Sequence, residues 1–304
     1  MRWKLLRVAL LAFVPVGASA APPALDAAVL PALDARTSLL VVSPHPDDET
    51  LCCAGVMQRV IAAGGRVSVV WITSGDAART SLLLAGSPFG DPAKARALGA
   101  QRMSEARAAT SLLGVPAAGQ LFLGYPNGGL QGLLTDHRTV PYVSAATAVA
   151  AVPYPDALFP GHPYTGESME QDFRAVLERV RPSLILAPSP LDTHPDHRAA
   201  GLLAIAQGVG FDSAPQLRYW IVHGGEGWPS PRGLLAGVPL TAAPLARGLE
   251  PLPFALTPAE EDRKRLALEA YRTQMRFMAP FLLAFVRTTE LYSSRAQPAA
   301  PLPP

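Results

Sequence analysis

Short apolar runs alternate with amphipathic stretches along most of this chain. Ser38–Ser43 reads as a buried strand, residues 50–63 as a helix ended by Gly64-Gly65, and Arg66–Thr73 as a second strand ended by Ser74-Gly75. A helix is predicted over residues 94–113, with Gly114 in the stop position, and a third strand over residues 120–123. Helices over 168–180 and 197–207 then flank a strand at 184–187, and 217–222 reads as a fifth strand. Strand followed by helix, repeated, predicts an α/β fold around a mainly parallel sheet.

Two segments leave this rhythm. Residues 126–167 are long and rich in Gly, Pro and Tyr, and residues 228–258 are punctuated by prolines before a last helix predicted over 258–278. Long insertions in compact domains are commonly functional lids or linkers. Tyr125, Tyr142, Tyr154, His162 and Tyr164 argue against disorder in the first, which reads as a substrate-facing loop. The organisation expected is one domain over 38–292, with flexible flanks at 21–37 and 293–304.

The first twenty residues carry Arg2, Lys4 and Arg7, an apolar stretch over 8–16, and then Gly17-Ala18-Ser19-Ala20, the three parts of a secretory signal. Cleavage after Ala20 is expected, which would make the protein exported, periplasmic or secreted. An uncleaved membrane anchor is the weaker reading, because the apolar stretch is shorter than the ~20 residues a spanning helix needs. Taking those three basic residues from a chain of formal charge +2 leaves the remainder near −1, with its charges scattered. A nucleic-acid partner needs a basic stripe, and none is present. The only cysteines, Cys52 and Cys53, are adjacent in an apolar helical run. Neighbouring cysteines rarely meet disulfide geometry, so two small buried side chains are expected, with a thiolate metal ligand as the weaker alternative.

The chemistry concentrates in two copies of one tripeptide, in His45-Pro46-Asp47-Asp48-Glu49 and in His194-Pro195-Asp196-His197. Both follow strand-like runs, and ligands of open parallel sheets bind beyond the carboxyl ends of the strands. The same placement makes Thr73-Ser74-Gly75 and Tyr125-Pro126-Asn127-Gly128 neighbours of the site. Two imidazoles and one carboxylate, leaving a position for water, suit a catalytic zinc ion, which acidifies water and polarises a carbonyl. His45 and Asp48 can chelate one ion from a tight turn, with His197 as third ligand. Asp47 is then placed to accept a proton, and His194 to stabilise an oxyanion or protonate an amine. Spacing alone ranks neither His194 against His197 nor Asp47 against Asp48.

These two motifs together resemble the signatures of the PIG-L/LmbE family of zinc-dependent N-deacetylases. Thr73-Ser74-Gly75, Arg102-Met103-Ser104-Glu105-Ala106-Arg107, Leu112-Leu113-Gly114-Val115, Arg181-Pro182-Ser183-Leu184-Ile185 and Tyr271-Arg272-Thr273-Gln274 are similar to family blocks in the same order. The resemblance implies a Rossmann-like, LmbE-like architecture, zinc ligands at His45, Asp48 and His197, a general base at Asp47 and an assisting histidine at His194. Many members carry an acidic residue where this chain has Asn127, next to Tyr125 in the segment expected to bind substrate. An amide hydrogen-bonds a hydroxyl but cannot act as a base.

Other polar residues have plainer readings. Glu49 supports a ligand or caps the following helix. Arg102 and Glu105, one helical turn apart, form an ion pair on a helix face as readily as they serve catalysis. His137, His162 and His223 read as ordinary polar residues, His162 being the best outsider. The expected protein is an exported Zn2+ hydrolase that removes an N-acetyl or other N-acyl group from an amino sugar or glycoconjugate. Hydrolysis of another amide or an ester is the second reading, and a non-catalytic carbohydrate-binding protein the third.

Overall fold

The computed structural model describes residues 30–78 and 90–297. The expected signal segment lies outside the described residues, and so do residues 21–29 and 298–304. Five strands, β1 (Ser38–Ser43), β2 (Arg66–Thr73), β3 (Gln120–Tyr125), β4 (Leu184–Pro188) and β5 (Gln216–Trp220), form one sheet in the order β3-β2-β1-β4-β5. Every pairing in it is parallel. β1 lies at the centre, with Val41 paired to Val69 on one side and Leu186 on the other. All six of its residues are buried, as expected of a strand covered on both faces. From β1 the chain builds outward to β2 and β3 on one side, then returns to build β4 and β5 on the other. The topological switch point, where ligands of such sheets bind, therefore falls between β1 and β4.

Helices cover the faces: α1 (Asp48–Ala62), α2 (Pro92–Leu112), the short α3 (Leu130–Leu134), α4 (Gly166–Val180) and α5 (Pro195–Gly208). Local chemistry starts them. Asp91 accepts the Ala93 and Lys94 N–H groups ahead of α2, Thr165 accepts that of Ser168 ahead of α4, and Pro92 and Pro195 occupy first-turn positions whose N–H is not needed. A Cβ on Gly201 of α5 would stand 2.3 Å from the Pro188 carbonyl oxygen. Only glycine lets α5 lie this close to the end of β4, which sets where His194 and His197 emerge.

The structure departs from the sequence expectations in several places. The single helix predicted over 258–278 is two, α6 (Pro258–Glu269) and α7 (Arg272–Leu282). The break at Ala270-Tyr271 carries no glycine or proline. There Tyr271 is buried, and its hydroxyl donates to Glu49, a tertiary bond that overrides local propensity. An unpredicted antiparallel ribbon joins β6 (Leu252–Ala255) to β7 (Thr289–Tyr292). The flanks are shorter than expected, because Leu30 packs into the core and Ser293 is buried and bridged to Tyr219.

Cys52 and Cys53 form a disulfide rather than two buried thiols. At this point the Leu51 and Cys52 carbonyls accept from Lys264 Nζ and Tyr292 Oη, and Gly55 and Val56 N–H donate to Glu290. Side chains thus share the helix ladder where the two cysteines meet. Finally, Tyr154 and Tyr164 of the long loop are buried, donating to Asp76 and to the Gly124 carbonyl, so they anchor the loop instead of facing a ligand. Among the described residues, no helix is long and apolar enough to cross a membrane.

Candidate metal centre

The turn after β1 and the start of α5 deliver three ligand atoms to one point at the switch. His45 Nδ1 lies 3.2 Å from Asp48 Oδ2, His197 Nε2 lies 3.1 Å from the same oxygen, and the two nitrogens are 3.3 Å apart. A tetrahedral ion with bonds of about 2.0–2.1 Å has ligand edges of about 3.3–3.4 Å. The triangle thus has the size of one face of such a site.

The outward nitrogens support the same fit. His197 Nδ1 lies 3.2 Å from Asp192 Oδ2, and His45 Nε2 lies 3.1 Å from Asp196 Oδ2. A carboxylate only accepts, so with a cation in the triangle each outward nitrogen would carry the proton and each inward one would present its lone pair, the usual support of metal-binding histidines. Asp192 also accepts the Val222 and His223 N–H groups, and Asp196 those of Gly128 and Leu130. Asp196 belongs to the second motif without a role read from the sequence, and Asp192 was not singled out.

The electrostatics belong to a cluster built around charge. Burial lowers the basicity of His197, but Asp48 and Asp192 outweigh it and hold the imidazole well above the ordinary histidine range. Burial likewise opposes ionisation of Asp48, yet His197 and His45 keep its carboxyl well below the ordinary value.

Asp47 lines the same cleft as His45 and Asp48. It occupies the N-cap position of α1 with φ at 125°, a region where side chains are strained, and its carboxylate makes no cap bond. Instead, Asp47 Oδ2 lies 3.3 Å from Arg102 Nη2. Burial is the largest influence on this carboxyl and, against the Arg102 charge, pushes it up to about 8. Arg102 also donates to the Pro46 and Gly75 carbonyls, at 2.7 and 2.9 Å.

The anticipated Arg102–Glu105 ion pair is absent from the described contacts. Glu105 accepts instead from the Thr273 N–H and hydroxyl groups, just past the end of α6, the helix against which α2 packs. Glu49 is not a cap either. Its buried carboxylate accepts from Trp71 Nε1, Tyr271 and the Asp47 N–H, so it holds the strained turn from below.

His194 stands beside the triangle, its ring 4.7 Å from that of His45. Its Nδ1 accepts the Asp196 N–H at 3.2 Å, which leaves the proton on Nε2. Burial, with His45 and His197 nearby, pushes it down to about 3, so the ring is a neutral donor. His223, read as an ordinary polar residue, also belongs here: its ring lies 4.7 Å from that of His197, and a ligand atom on it comes within 4.8 Å of Asp48 and His197. The signal was its position immediately past the fifth predicted strand. His162 lies elsewhere, half exposed and paired with Asp172.

Asn127 lines the cleft over the triangle together with His45, Asp47 and Arg102. Gly128, at φ 83°, makes the turn that lets its N–H reach Asp196 Oδ2 at 2.6 Å, tying this loop to the base of α5. Tyr125 does not take part. It is fully buried and donates to Asp172 at 2.7 Å, because the last residue of β3 points into the core on the side of α4.

Comparison with known proteins gives the family. The PIG-L family model, described as GlcNAc-PI de-N-acetylase, matches residues 40–207, and the chain belongs to this family. The 1D-myo-inositol 2-acetamido-2-deoxy-alpha-D-glucopyranoside deacetylase of Rhodococcus erythropolis is 28% identical over 207 residues, 64% of this chain and 58% of that one. The protein of the same name from Tsukamurella paurometabola is 29% identical over 286 residues, covering 82% of this chain and 86% of the relative. Over four further relatives of that name, the match spans 51–55% of their length. Among solved structures, a deacetylase triple mutant of the teicoplanin biosynthetic pathway shares the fold, with a TM-score of 0.53 at 18% identity over 84% of this chain and 97% of that chain.

Proposed function

We propose that this protein is an exported, zinc-dependent N-deacylase that removes the acetyl group from an amino sugar or its conjugate. The observation that carries the proposal is the triangle of His45 Nδ1, Asp48 Oδ2 and His197 Nε2, with each imidazole backed by a carboxylate. A divalent cation held there supplies Lewis acidity, acidifying water and polarising a carbonyl. The activity after which the relatives are named supports an amino-sugar substrate. Export rests on residues 1–20 alone.

The chain's own groups perform the proton work. Asp47, free of any cap bond and favoured in its ionised form by the charge of a bound cation, would take a proton from the attacking water and return it to the departing amine nitrogen. The Nε2–H of His194 donates to the carbonyl oxygen as charge develops on it. Asn127 offers an amide to a sugar hydroxyl in place of the acidic residue of other members. Protein loaded with zinc and incubated with N-acetylglucosamine, diacetylchitobiose and inositol-linked N-acetylglucosamine tests the reading. Equal release of acetate and free amine from at least one is expected, and hydrolysis of esters alone would contradict it.

A further inference from the structure

The cleft over the metal centre changes character along the sheet edge. On the β2 and β3 side it is lined by Asn127, Arg102 and Gln274. On the β5 side it is lined by Val222 and His223, and α7 crosses above, bringing Phe277, Met278 and Phe281 to the wall. α7 spans both halves: Gln274, in its first turn, lies beside Arg102, while Phe281, two turns on, stacks on His223 with ring centroids 5.9 Å apart. The floor between them is Leu51, Val222 and Leu282, none more than 2% exposed. From that floor the apolar lining continues outward over Phe281 and Phe277 to Met278, which is 37% exposed. An acetyl methyl needs only the floor, and a wall of two aromatic rings and a thioether is more apolar surface than one methyl can cover.

We infer that the β5 half of this cleft is an acyl channel and that the preferred substrates carry an N-acyl chain longer than acetyl. The inference rests on the N-deacylase reading and deepens it. With the reacting carbonyl at the metal centre, the amine side of the amide lies towards Asn127 and Arg102, where a sugar finds hydrogen-bonding partners. The acyl side then runs towards Val222, Phe281 and Phe277, where each added methylene leaves water for an apolar wall.

Alkyl hydroxamates bind metal centres through a head group that is the same at every chain length, so they probe the channel without turnover. Calorimetry of zinc-loaded protein with aceto-, butano- and hexanohydroxamate should show affinity rising about threefold to fourfold per methylene. Phe281→Ser and the more exposed Met278→Ser should keep their zinc and flatten this gradient. In parallel, kcat/KM for amine release should rise from N-acetyl- through N-butyryl- to N-hexanoylglucosamine.

Equal affinity across the hydroxamates, or tightest binding of the shortest, overturns the inference. So does a gain shown only by an octyl glycoside of N-acetylglucosamine, which would assign the apolar wall to the aglycone. Absence of turnover at every chain length counts against the N-deacylase reading, whereas a flat hydroxamate series counts against the acyl channel alone.

Discussion

Arg102, in the middle of α2, reaches across to Asp47 in the strained turn ahead of α1, with Nη2 3.3 Å from Oδ2 and 2.7 Å from the Pro46 carbonyl. One buried guanidinium thus holds both the carboxylate and the backbone of that turn. Arg102→Met leaves the Pro46 and Gly75 carbonyls without this donor and removes the cation facing Asp47. A loss of about 3 kcal/mol in unfolding free energy is expected, with zinc retained and kcat reduced. Denaturant titration beside metal analysis checks this, and an unchanged midpoint would show that the bonds contribute little.

Asp47→Asn keeps the shape and hydrogen bonding of the side chain but cannot accept a proton at neutral pH. The variant is expected to bind zinc normally and to lose about 10²-fold to 10⁴-fold in kcat. Near-normal turnover at full zinc occupancy would mean that another group is the base, with Glu49, buried two residues on, the first candidate.

His45→Ala, Asp48→Ala and His197→Ala each remove one corner of the triangle, and each should lose metal and activity together. Asp192→Ala, which touches no metal, should weaken metal binding by about 10-fold to 100-fold, because His197 loses the acceptor that fixes its orientation. Equilibrium dialysis separates the two degrees of loss. Full occupancy in His197→Ala would refute the assignment.

Asp76, at the end of β2, is buried beneath the long loop and accepts from Tyr154 at 2.7 Å. Burial pushes its carboxyl up to about 6. Its folded value therefore lies above the unfolded value of about 4, so its contribution to stability is complete below pH 4 and lost as pH rises through 6. Asp76→Asn removes this titration. Relative to the parent, the variant should gain about 2–3 kcal/mol in unfolding free energy between pH 4 and pH 7, read from denaturant midpoints at the two values. A difference independent of pH would show that the Asp76 carboxyl titrates alike in the folded and unfolded chains.

Much of the sheet and the meeting of the two histidine motifs could be read from local pattern, whereas the choice of His45, Asp48 and His197 within them rests on the family resemblance. β1 and β2 are continuous apolar runs bounded by turn residues, and their predicted limits coincide with the observed ones. His45, Asp48 and His197 sit in short motifs at strand ends, where topology alone brings them together. The remainder depends on partners distant in sequence. β6 and β7 are four residues each and exist because they pair with one another. Arg102 reaches Asp47 only once α2 has docked, and the helix break at Tyr271 follows from a hydroxyl meeting Glu49. Asp192 and Asp196 support imidazoles whose outward nitrogens have no sequence signature. Tyr125 carried the right motif, but the last pleat of β3 turned it inward.

The central claim is that a metal ion at His45, Asp48 and His197 is needed for amide hydrolysis. The direct measurement is amine release by the full chain after chelator stripping and during titration with zinc, followed alongside bound metal. Activity absent from the stripped protein and rising in proportion to occupancy, up to one equivalent per chain, is the predicted result. Undiminished amine release by protein shown to be free of metal would contradict it.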